Sequence, residues 1–286
     1  MAASTAALRG ITKQYKNFTL GPVDMTVPAG SIVGLIGENG AGKTTLLKIL
    51  CGVNRADDGT VDLLGGSSAD AATRAKIGVV FEDAFFYGSF TAAQVARSLA
   101  GMYGARWNAD SFSAYLRRFG LDAGKKLKEY SRGMRLKLSL AAALAHGPEL
   151  LVLDEATAGL DPVVRGELLD LFLEFIQDER HSIVMSSHIT ADLEQIADSI
   201  AYLHNGQLLF QENKDDLLQE YGVLHCGEDV LPSLPAGLVV FTRRGAYGCE
   251  SLVRERRTVQ ELLPEAVCDA ARLDDIMRFY SGRDAQ

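Results

Sequence analysis

Short apolar runs recur along the chain and predict buried strands. Residues 32–36, 77–81, 150–153 and 182–186 are such runs, rich in Val, Ile and Leu. A strand that is covered on both faces of a sheet is continuously apolar in this way. Residues 46–50 instead carry apolar side chains at helical spacing, so a helix follows the first strand. Strands and helices that alternate along the chain predict an α/β fold.

Two further stretches have patterns of their own. Residues 8–30 predict short strands, at 8–11, 18–20 and 23–27, separated by turns. Residues 91–145 lose the strand pattern, and their apolar positions predict several packed helices inserted into the α/β core. We interpret the aromatic side chains of this insertion as core residues rather than as a ligand site.

The final part of the chain predicts a small mixed unit. Residues 238–242 and 247–254 read as strands, and residues 273–280 as a terminal helix. We expect an accessory domain there, with a regulatory or dimer-stabilising role. Other local signals are a helix starting at Asp161-Pro162, a helix capped by Thr190, and a turn at residues 57–60.

Composition restricts the classes of function. The 286 residues carry a net charge of −8, which argues against nucleic-acid binding as the main activity. No apolar run approaches the roughly 20 residues that a membrane span needs, and residues 1–8 do not resemble a secretion signal. The four cysteines have no paired spacing, so neither a zinc site nor a disulfide framework is indicated, and we expect a reducing cytosol.

Residues 37–44, Gly-Glu-Asn-Gly-Ala-Gly-Lys-Thr, fit the phosphate-binding loop pattern between a strand and a helix. Glycines let successive N–H groups curl around phosphate oxygens, next to the positive end of the following helix. Lys43 would reach the β- and γ-phosphates, and the Thr44 hydroxyl would bind Mg²⁺. The alternative is a glycine-rich turn with an exposed lysine. The predicted nucleotide-binding residues of this segment are Gly37, Asn39, Gly40, Ala41, Gly42, Lys43, Thr44 and Thr45.

Acidic residues follow two of the predicted strands. Asp154 and Glu155 end the run at 150–153, at the carboxyl edge where ligands collect in parallel sheets. After a phosphate loop, such a pair predicts a metal ligand, Asp154, and a base for water, Glu155. A helix N-cap is the structural alternative. Glu82, at the end of the 77–81 strand, would reach a metal ion or cap a loop.

Two single residues stand at positions where a nucleotide site would use them. Tyr15 falls in a turn, where its ring would stack on an adenine face or simply pack. His188 follows the 182–186 strand, where a histidine would either serve the site or be a structural group with its hydrogen bonds satisfied.

Residues 8 to about 222 resemble the nucleotide-binding domain of ATP-binding cassette (ABC) ATPases. Residues 37–44 resemble Walker A, residues 150–155 Walker B, and residues 158–161 the D-loop. Ser131, within Tyr-Ser-Arg-Gly-Met-Arg, matches the signature serine, and His188 the switch histidine. These motifs occur in the family's order along the chain.

This resemblance implies a set of roles and carries some departures. It implies ATP and Mg²⁺ as ligands, Glu155 and His188 as catalytic residues, and Thr44, Glu82 and Asp154 at the metal. Ser131 and Gly133 alone match the usual Leu-Ser-Gly-Gly-Gln signature. Glu82 stands where the family commonly has glutamine, and its extra charge bears on metal affinity. Ala156 and Ala158 replace a common proline and serine of the D-loop.

The resemblance also implies partners. Two such domains meet head to tail, as a homodimer or as a heterodimer with a second ABC ATPase, and the signature of one completes the ATP site of the other. A separate transmembrane permease subunit would hold the chain peripherally on the inner face of the cell membrane. The local residue pattern resembles that of bacterial exporters of drugs, lantibiotics or small peptides. A non-transport ABC ATPase and a phosphate-loop small-molecule kinase are the alternatives.

Together these patterns predict an α/β chain with a P-loop NTPase core. We expect a β-rich N-terminal subdomain, a helical insertion over about 89–145, and a small C-terminal α+β extension. The domain limits that follow are 1–222 for the nucleotide-binding domain and 223–286 for the accessory domain.

Overall fold

The computed structural model describes residues 4–81, 86–245 and 248–281. Its strands are β1 (Ser4–Tyr15), β2 (Phe18–Pro28), β3 (Ile32–Ile36), β4 (Asp58–Leu63), β5 (Gly66–Ser67), β6 (Ile77–Val80), β7 (Leu150–Asp154), β8 (Ser182–Ser186), β9 (Ser199–His204), β10 (Gln207–Asn213), β11 (Gly222–Cys226), β12 (Val239–Gly245), β13 (Gly248–Val253) and β14 (Val267–Ala270). Its α-helices are α1 (Lys43–Leu50), α2 (Ala71–Arg74), α3 (Ala92–Tyr103), α4 (Ala109–Arg118), α5 (Arg132–Leu144), α6 (Pro162–Phe175), α7 (Thr190–Ile196), α8 (Lys214–Glu220), α9 (Arg256–Leu262) and α10 (Leu273–Ser281).

The strands form three sheets. The central sheet has the order β10-β9-β3-β8-β7-β6, and all its neighbours are parallel except the β9–β10 hairpin. An antiparallel sheet of order β2-β1-β4-β5 covers the N-terminal part. The third sheet, β12-β13-β11-β14, is antiparallel and is formed entirely by residues 222–270. The predicted α/β class is therefore confirmed.

The central sheet lies between two hydrophobic layers, which explains its apolar strands. Every residue of β3, β7 and β8 is buried. On one face the sheet packs against α5, α6, α7 and α10, and on the other against α1 and the N-terminal sheet. Each fully buried Leu, Ile or Val stabilises the fold by roughly 1.5–3 kcal/mol relative to its exposed state. Parallel strands in register bring their carboxyl ends to one edge, where the predicted site residues follow.

The predicted short N-terminal strands are wrong in length. Residues 4–15 and 18–28 form two long paired strands. Their register shifts between Leu8 and Lys13, so residues that read as turns are accommodated within the strands. The predicted turn at 57–60 is also wrong, since β4 already begins at Asp58. Gly59, with φ 92°, passes close to the backbone of Gly10, and a Cβ at this position would lie 2.5 Å from the Gly10 carbonyl oxygen.

The remaining element predictions are largely confirmed. Three helices, α3, α4 and α5, occupy most of the 91–145 stretch and share a core of their own, so its buried aromatic residues are core residues. The strands and the terminal helix predicted after residue 238 are present as β12, β13 and α10. Asp161 caps α6, with Pro162 at its first position. No helix in the described part of the chain has the length and apolar character of a membrane span.

Candidate functional site

The glycine-rich loop between β3 and α1 forms one wall of a small cavity. The cavity has a volume of about 240 Å³ and is lined by Phe18, Glu38, Asn39, Gly40, Gly42, Lys43, Thr44, Thr45 and Glu155. Gly37 lies against the β9–β10 hairpin, where a Cβ atom would come within 2.2 Å of the Leu203 carbonyl oxygen. Gly42 precedes α1 with φ 107°, a conformation that favours glycine. The loop therefore leaves its own backbone exposed to the cavity.

Lys43 is buried within this loop, so the alternative of an exposed lysine is wrong. Its Nζ atom donates hydrogen bonds to the carbonyl oxygens of Gly37, at 2.7 Å, and Glu38, at 3.3 Å. The same Nζ lies 3.4 Å from Glu155 Oε1. The Lys43 side chain and the glycines of the loop therefore line the same cavity, an arrangement that favours an anion.

Thr44 and Asp154 meet beneath the loop. Thr44 Oγ1 donates a hydrogen bond to Asp154 Oδ2 at 2.8 Å, and Ser186 Oγ donates to Asp154 Oδ1 at 2.7 Å. Asp154 ends β7 and caps no helix, so the N-cap alternative is wrong for this residue.

A hydroxyl beside a buried carboxylate is the oxygen donor set that Mg²⁺ accepts, usually together with water and substrate phosphates. Thr44 and Asp154 therefore fit a magnesium ion. Glu82, the third predicted metal ligand, lies outside the described residues. The described ranges hold no cluster of three or more His, Cys, Asp or Glu side chains arranged for a metal.

Glu155 is held in an uncommon conformation by the two neighbouring strands. Its φ of 52° is rare for a residue with a side chain, and such backbone strain persists where the surroundings enforce it. The Glu155 amide donates to the Ser186 carbonyl and hydroxyl oxygens, both at 3.1 Å. These contacts turn its side chain toward the cavity, where it is 11% exposed.

His188 contacts the same carboxylate. Its Nδ1 lies 2.6 Å from Glu155 Oε2, and its amide donates to the same oxygen at 3.2 Å. The imidazole is 54% exposed, so it is not a buried structural histidine. Both residues follow neighbouring strands, β7 and β8, whose ends are in register. Adjacent strand ends therefore bring the two predicted catalytic residues together.

Ser131 and Gly133 lie apart from this cavity. Ser131 is exposed and caps α5, where its Oγ accepts a hydrogen bond from the Met134 amide at 3.2 Å. Gly133 faces the loop before α6, with Leu160 Cδ2 3.6 Å from the position that a Cβ would take. Neither residue lines the loop cavity; Ser131 is exposed on the helical insertion, and Gly133 is half-buried against Leu160.

Tyr15 lies at the end of β1 and is 45% exposed. Its ring centroid is 6.4 Å from that of Phe18, which lines the cavity. Sequence reasoning missed Phe18, Glu38 and Ser186 as neighbours of the site. The prediction that Tyr15 falls in a turn is wrong, because Tyr15 pairs with Phe18 and the turn is formed by residues 16–17. Phe18 has a signal in the sequence, since it begins the strand that follows this turn, whereas Ser186 lies close to Asp154 only through the register of β7 and β8.

Comparisons with known proteins agree with this geometry. Residues 20–158 match the family model described as ABC transporter. The chain is 36% identical to the bacitracin transport ATP-binding protein BcrA of Enterococcus faecalis, over 72% of this chain and 68% of that protein. It is 33% identical to the lantibiotic transport ATP-binding protein SrtF of Streptococcus pyogenes, over 73% of this chain and 90% of that protein.

A solved structure of an ATP-binding subunit of an ABC transporter superposes with a TM-score of 0.67 at 28% identity, covering 75% of this chain and 92% of that one. The chain spans only 58% of the length of one curated relative, an uncharacterized ABC transporter ATP-binding protein of Synechocystis sp.. Motif order, loop geometry and these similarities lead to one assignment. The chain belongs to the ABC transporter family, among its ATP-binding ATPase subunits.

Proposed function

We propose that this chain binds ATP with Mg²⁺ in the 37–44 loop and hydrolyses it with Glu155 as the general base. The observation that carries the proposal is the orientation of the Glu155 carboxylate. One oxygen, Oε2, is held by His188, whereas Oε1 is buried, accepts no hydrogen bond in the described part of the chain and lies 3.4 Å from Lys43 Nζ. A carboxylate that is fixed through one oxygen and lines the cavity of the phosphate-binding loop is suited to accept a proton from water.

The other residues of the cavity would bind and orient the triphosphate. Lys43 supplies the positive charge for the β- and γ-phosphates, and the loop amides supply hydrogen bonds. Thr44 and Asp154 would hold Mg²⁺, with Glu82 as a further proposed ligand, and bound Mg²⁺ would neutralise charge on the phosphate oxygens. Tyr15, whose ring centroid lies 6.4 Å from that of the cavity residue Phe18, would stack on the adenine.

A second cassette would complete the site. Ser131 is exposed and does not line the cavity of its own chain, which supports the proposal that it contacts ATP bound by another chain. The partner is a second copy or a related ABC ATPase. Because ATP sandwiched between two chains is bound fully only in the closed pair, nucleotide would favour closure and hydrolysis would release it.

We further propose that the chain works with a separate transmembrane permease on the cytoplasmic face of the membrane, in a complex that exports a drug, lantibiotic or small peptide. The names of BcrA and SrtF, which refer to bacitracin and lantibiotic transport, support this choice. Affinity purification of the chain from detergent-solubilised membranes of its host tests the partnership. A multi-spanning protein that co-purifies is expected, and its absence in stoichiometric amount would contradict the transporter assignment.

The reaction itself separates this proposal from a phosphate-loop kinase. Purified chain with Mg-ATP and no acceptor is expected to release ADP and phosphate in equal amounts. A kinase would consume ATP only after a small-molecule acceptor is added, and that outcome would contradict the proposed hydrolysis.

A further inference from the structure

The terminal helix α10 is joined to α7, the helix that begins just after His188, by two hydrogen bonds in opposite directions. Thr190 Oγ1 on α7 donates to Asp274 Oδ1 on α10 at 2.6 Å. The Leu273 amide on α10 donates to Glu194 Oε1 on α7 at 2.8 Å. The Asp274 side chain of α10 therefore accepts a hydrogen bond from the first residue of α7, and the Glu194 side chain of α7 accepts one from the first amide of α10.

The prediction that Thr190 caps α7 is wrong. Thr190 is the first residue of α7, and the preceding residue, Ile189, offers no side-chain cap. Thr190 is only 3% exposed, so its hydroxyl needs a partner inside the protein. Asp274 is that partner, and the hydrogen bond links α10 to the first residue of α7, two positions after His188.

Helix α10 is packed into the main hydrophobic core. Its apolar face is buried in the main core through Leu273, Ile276, Phe279 and Tyr280. The Tyr280 ring meets the Tyr202 ring edge-on, with centroids 5.6 Å apart, and Tyr202 lies on β9 beside the strand that leads into the phosphate loop. Asp274 is therefore held in place by the packing of its own helix.

The segment 187–190 is fixed at both ends. The Ser187 amide donates to the Leu35 carbonyl oxygen of β3 at 3.2 Å, and Thr190 is bound to Asp274 at the other end. Between these two points lies His188, whose Nδ1 reaches Glu155. A shift of Thr190 would be passed through two peptide units to the imidazole.

We propose that Asp274 is a positioning residue for ATP hydrolysis, which acts through Thr190 on the His188–Glu155 pair. The C-terminal extension, residues 223–286 in our division of the chain, would then contribute directly to the hydrolytic site. This inference rests on the proposed ATPase function, because it assigns Asp274 a part in that same reaction.

The test is the variant Asp274→Ala in the full chain. We expect kcat for Mg-ATP hydrolysis to fall about 3- to 10-fold, the range that the loss of one hydrogen bond supports, with KM for ATP unchanged. A second readout needs no nucleotide. Amide hydrogen exchange in residues 187–196 is expected to become faster, while exchange in the 37–50 segment stays as in the wild type.

Asp275→Ala is the matched control. Asp275 is the next residue of α10, but its carboxylate accepts hydrogen bonds from the Arg272 amide and the Arg278 side chain instead of from α7. The Asp275→Ala variant is expected to leave kcat and amide hydrogen exchange in residues 187–196 unchanged. Thr190→Ser keeps the hydroxyl and should retain wild-type kcat, whereas Thr190→Val should match Asp274→Ala.

A double-mutant cycle separates positioning from general destabilisation. In a His188→Ala background, Asp274→Ala is expected to lower kcat no further. An equal loss in both backgrounds, or unchanged kcat and unchanged exchange in Asp274→Ala, would overturn the inference. A wild-type chain without ATPase activity would instead overturn the proposed function, and the exchange measurement would still decide whether Asp274 restrains the 187–196 segment.

Discussion

His188 Nδ1 lies 2.6 Å from Glu155 Oε2, and the two residues follow adjacent strands whose ends are in register. This contact occupies one carboxylate oxygen and leaves the other at the cavity beside Lys43. The arrangement is produced by the sheet, since β7 and β8 deliver both side chains to the same edge. It accounts for the uncommon backbone of Glu155, which the amide bonds to Ser186 maintain.

The outward position of Ser131 predicts its part in pairing. In a Glu155→Gln background, saturating Mg-ATP is expected to convert the chain to a dimer, seen by light scattering. Adding Ser131→Ala should keep the protein monomeric while nucleotide still binds, because the Ser131 hydroxyl is not part of its own cavity.

Ser131 also caps α5, so its removal has a structural cost of about 0.5–2 kcal/mol. Ser131→Asn restores a capping group and is the matched control for this effect. We expect it to recover stability and to remain monomeric with ATP. If Ser131→Asn dimerises with ATP, dimerisation depends on the helix cap and not on a contact of the Ser131 hydroxyl across the interface.

The second prediction concerns Gly37, the first residue of the phosphate-binding loop. Its replacement by Ala would place a Cβ about 2.2 Å from the Leu203 carbonyl oxygen, so the loop and the β9–β10 hairpin must separate. We expect unfolding free energy to fall by about 1–3 kcal/mol, as in overpacked sites, and ATP affinity measured by calorimetry to fall more than about tenfold.

Gly101→Ala is the control for Gly37. Gly101 lies in α3 and a Cβ there would meet no atom within 4 Å. Alanine in a helix is favoured over glycine by roughly 0.5–1 kcal/mol, so this variant should be slightly more stable and bind ATP normally. Equal ATP affinity in Gly37→Ala and wild type would contradict the described loop.

His146 makes stability depend on pH. Burial lowers the pKa of His146 below its ordinary value of 6.5, and its Nε2 lies 3.1 Å from the Ile77 carbonyl oxygen. The unfolded chain therefore takes up this proton first as pH falls below about 6.5, and stability is lost over that range. We expect His146→Gln to reduce the loss of unfolding free energy between about pH 7 and pH 5. An identical pH dependence in urea titrations of both proteins would contradict this assignment.

The sequence was most informative where local pattern and chemistry coincide. The run 32–36, the glycine loop and the helix after it form a single strand–loop–helix unit, so residue spacing alone predicts that geometry. Asp154 and Glu155 were placed by the same reasoning, at the end of an apolar strand. Their partner Ser186 was not, because its closeness to Asp154 comes from the pairing of β7 with β8.

The errors have the same physical origin. Thr190 looks like a helix cap in sequence, yet its hydroxyl binds Asp274, far along the chain. Gly59 looks like a turn residue, yet the paired strand β1 holds it in β4. In both cases a contact between distant segments decides the role, and no local pattern records it.

Turnover of the variant Glu155→Gln tests the central claim most directly. Glutamine keeps the shape of the side chain and removes its capacity to take a proton from water. We predict that phosphate release from Mg-ATP slows by roughly 10²–10⁴-fold while ATP binding persists. Glu149→Gln, which alters a partly exposed carboxylate paired with Lys76 before the same strand, should release phosphate at the wild-type rate. Wild-type phosphate release by Glu155→Gln would contradict the account.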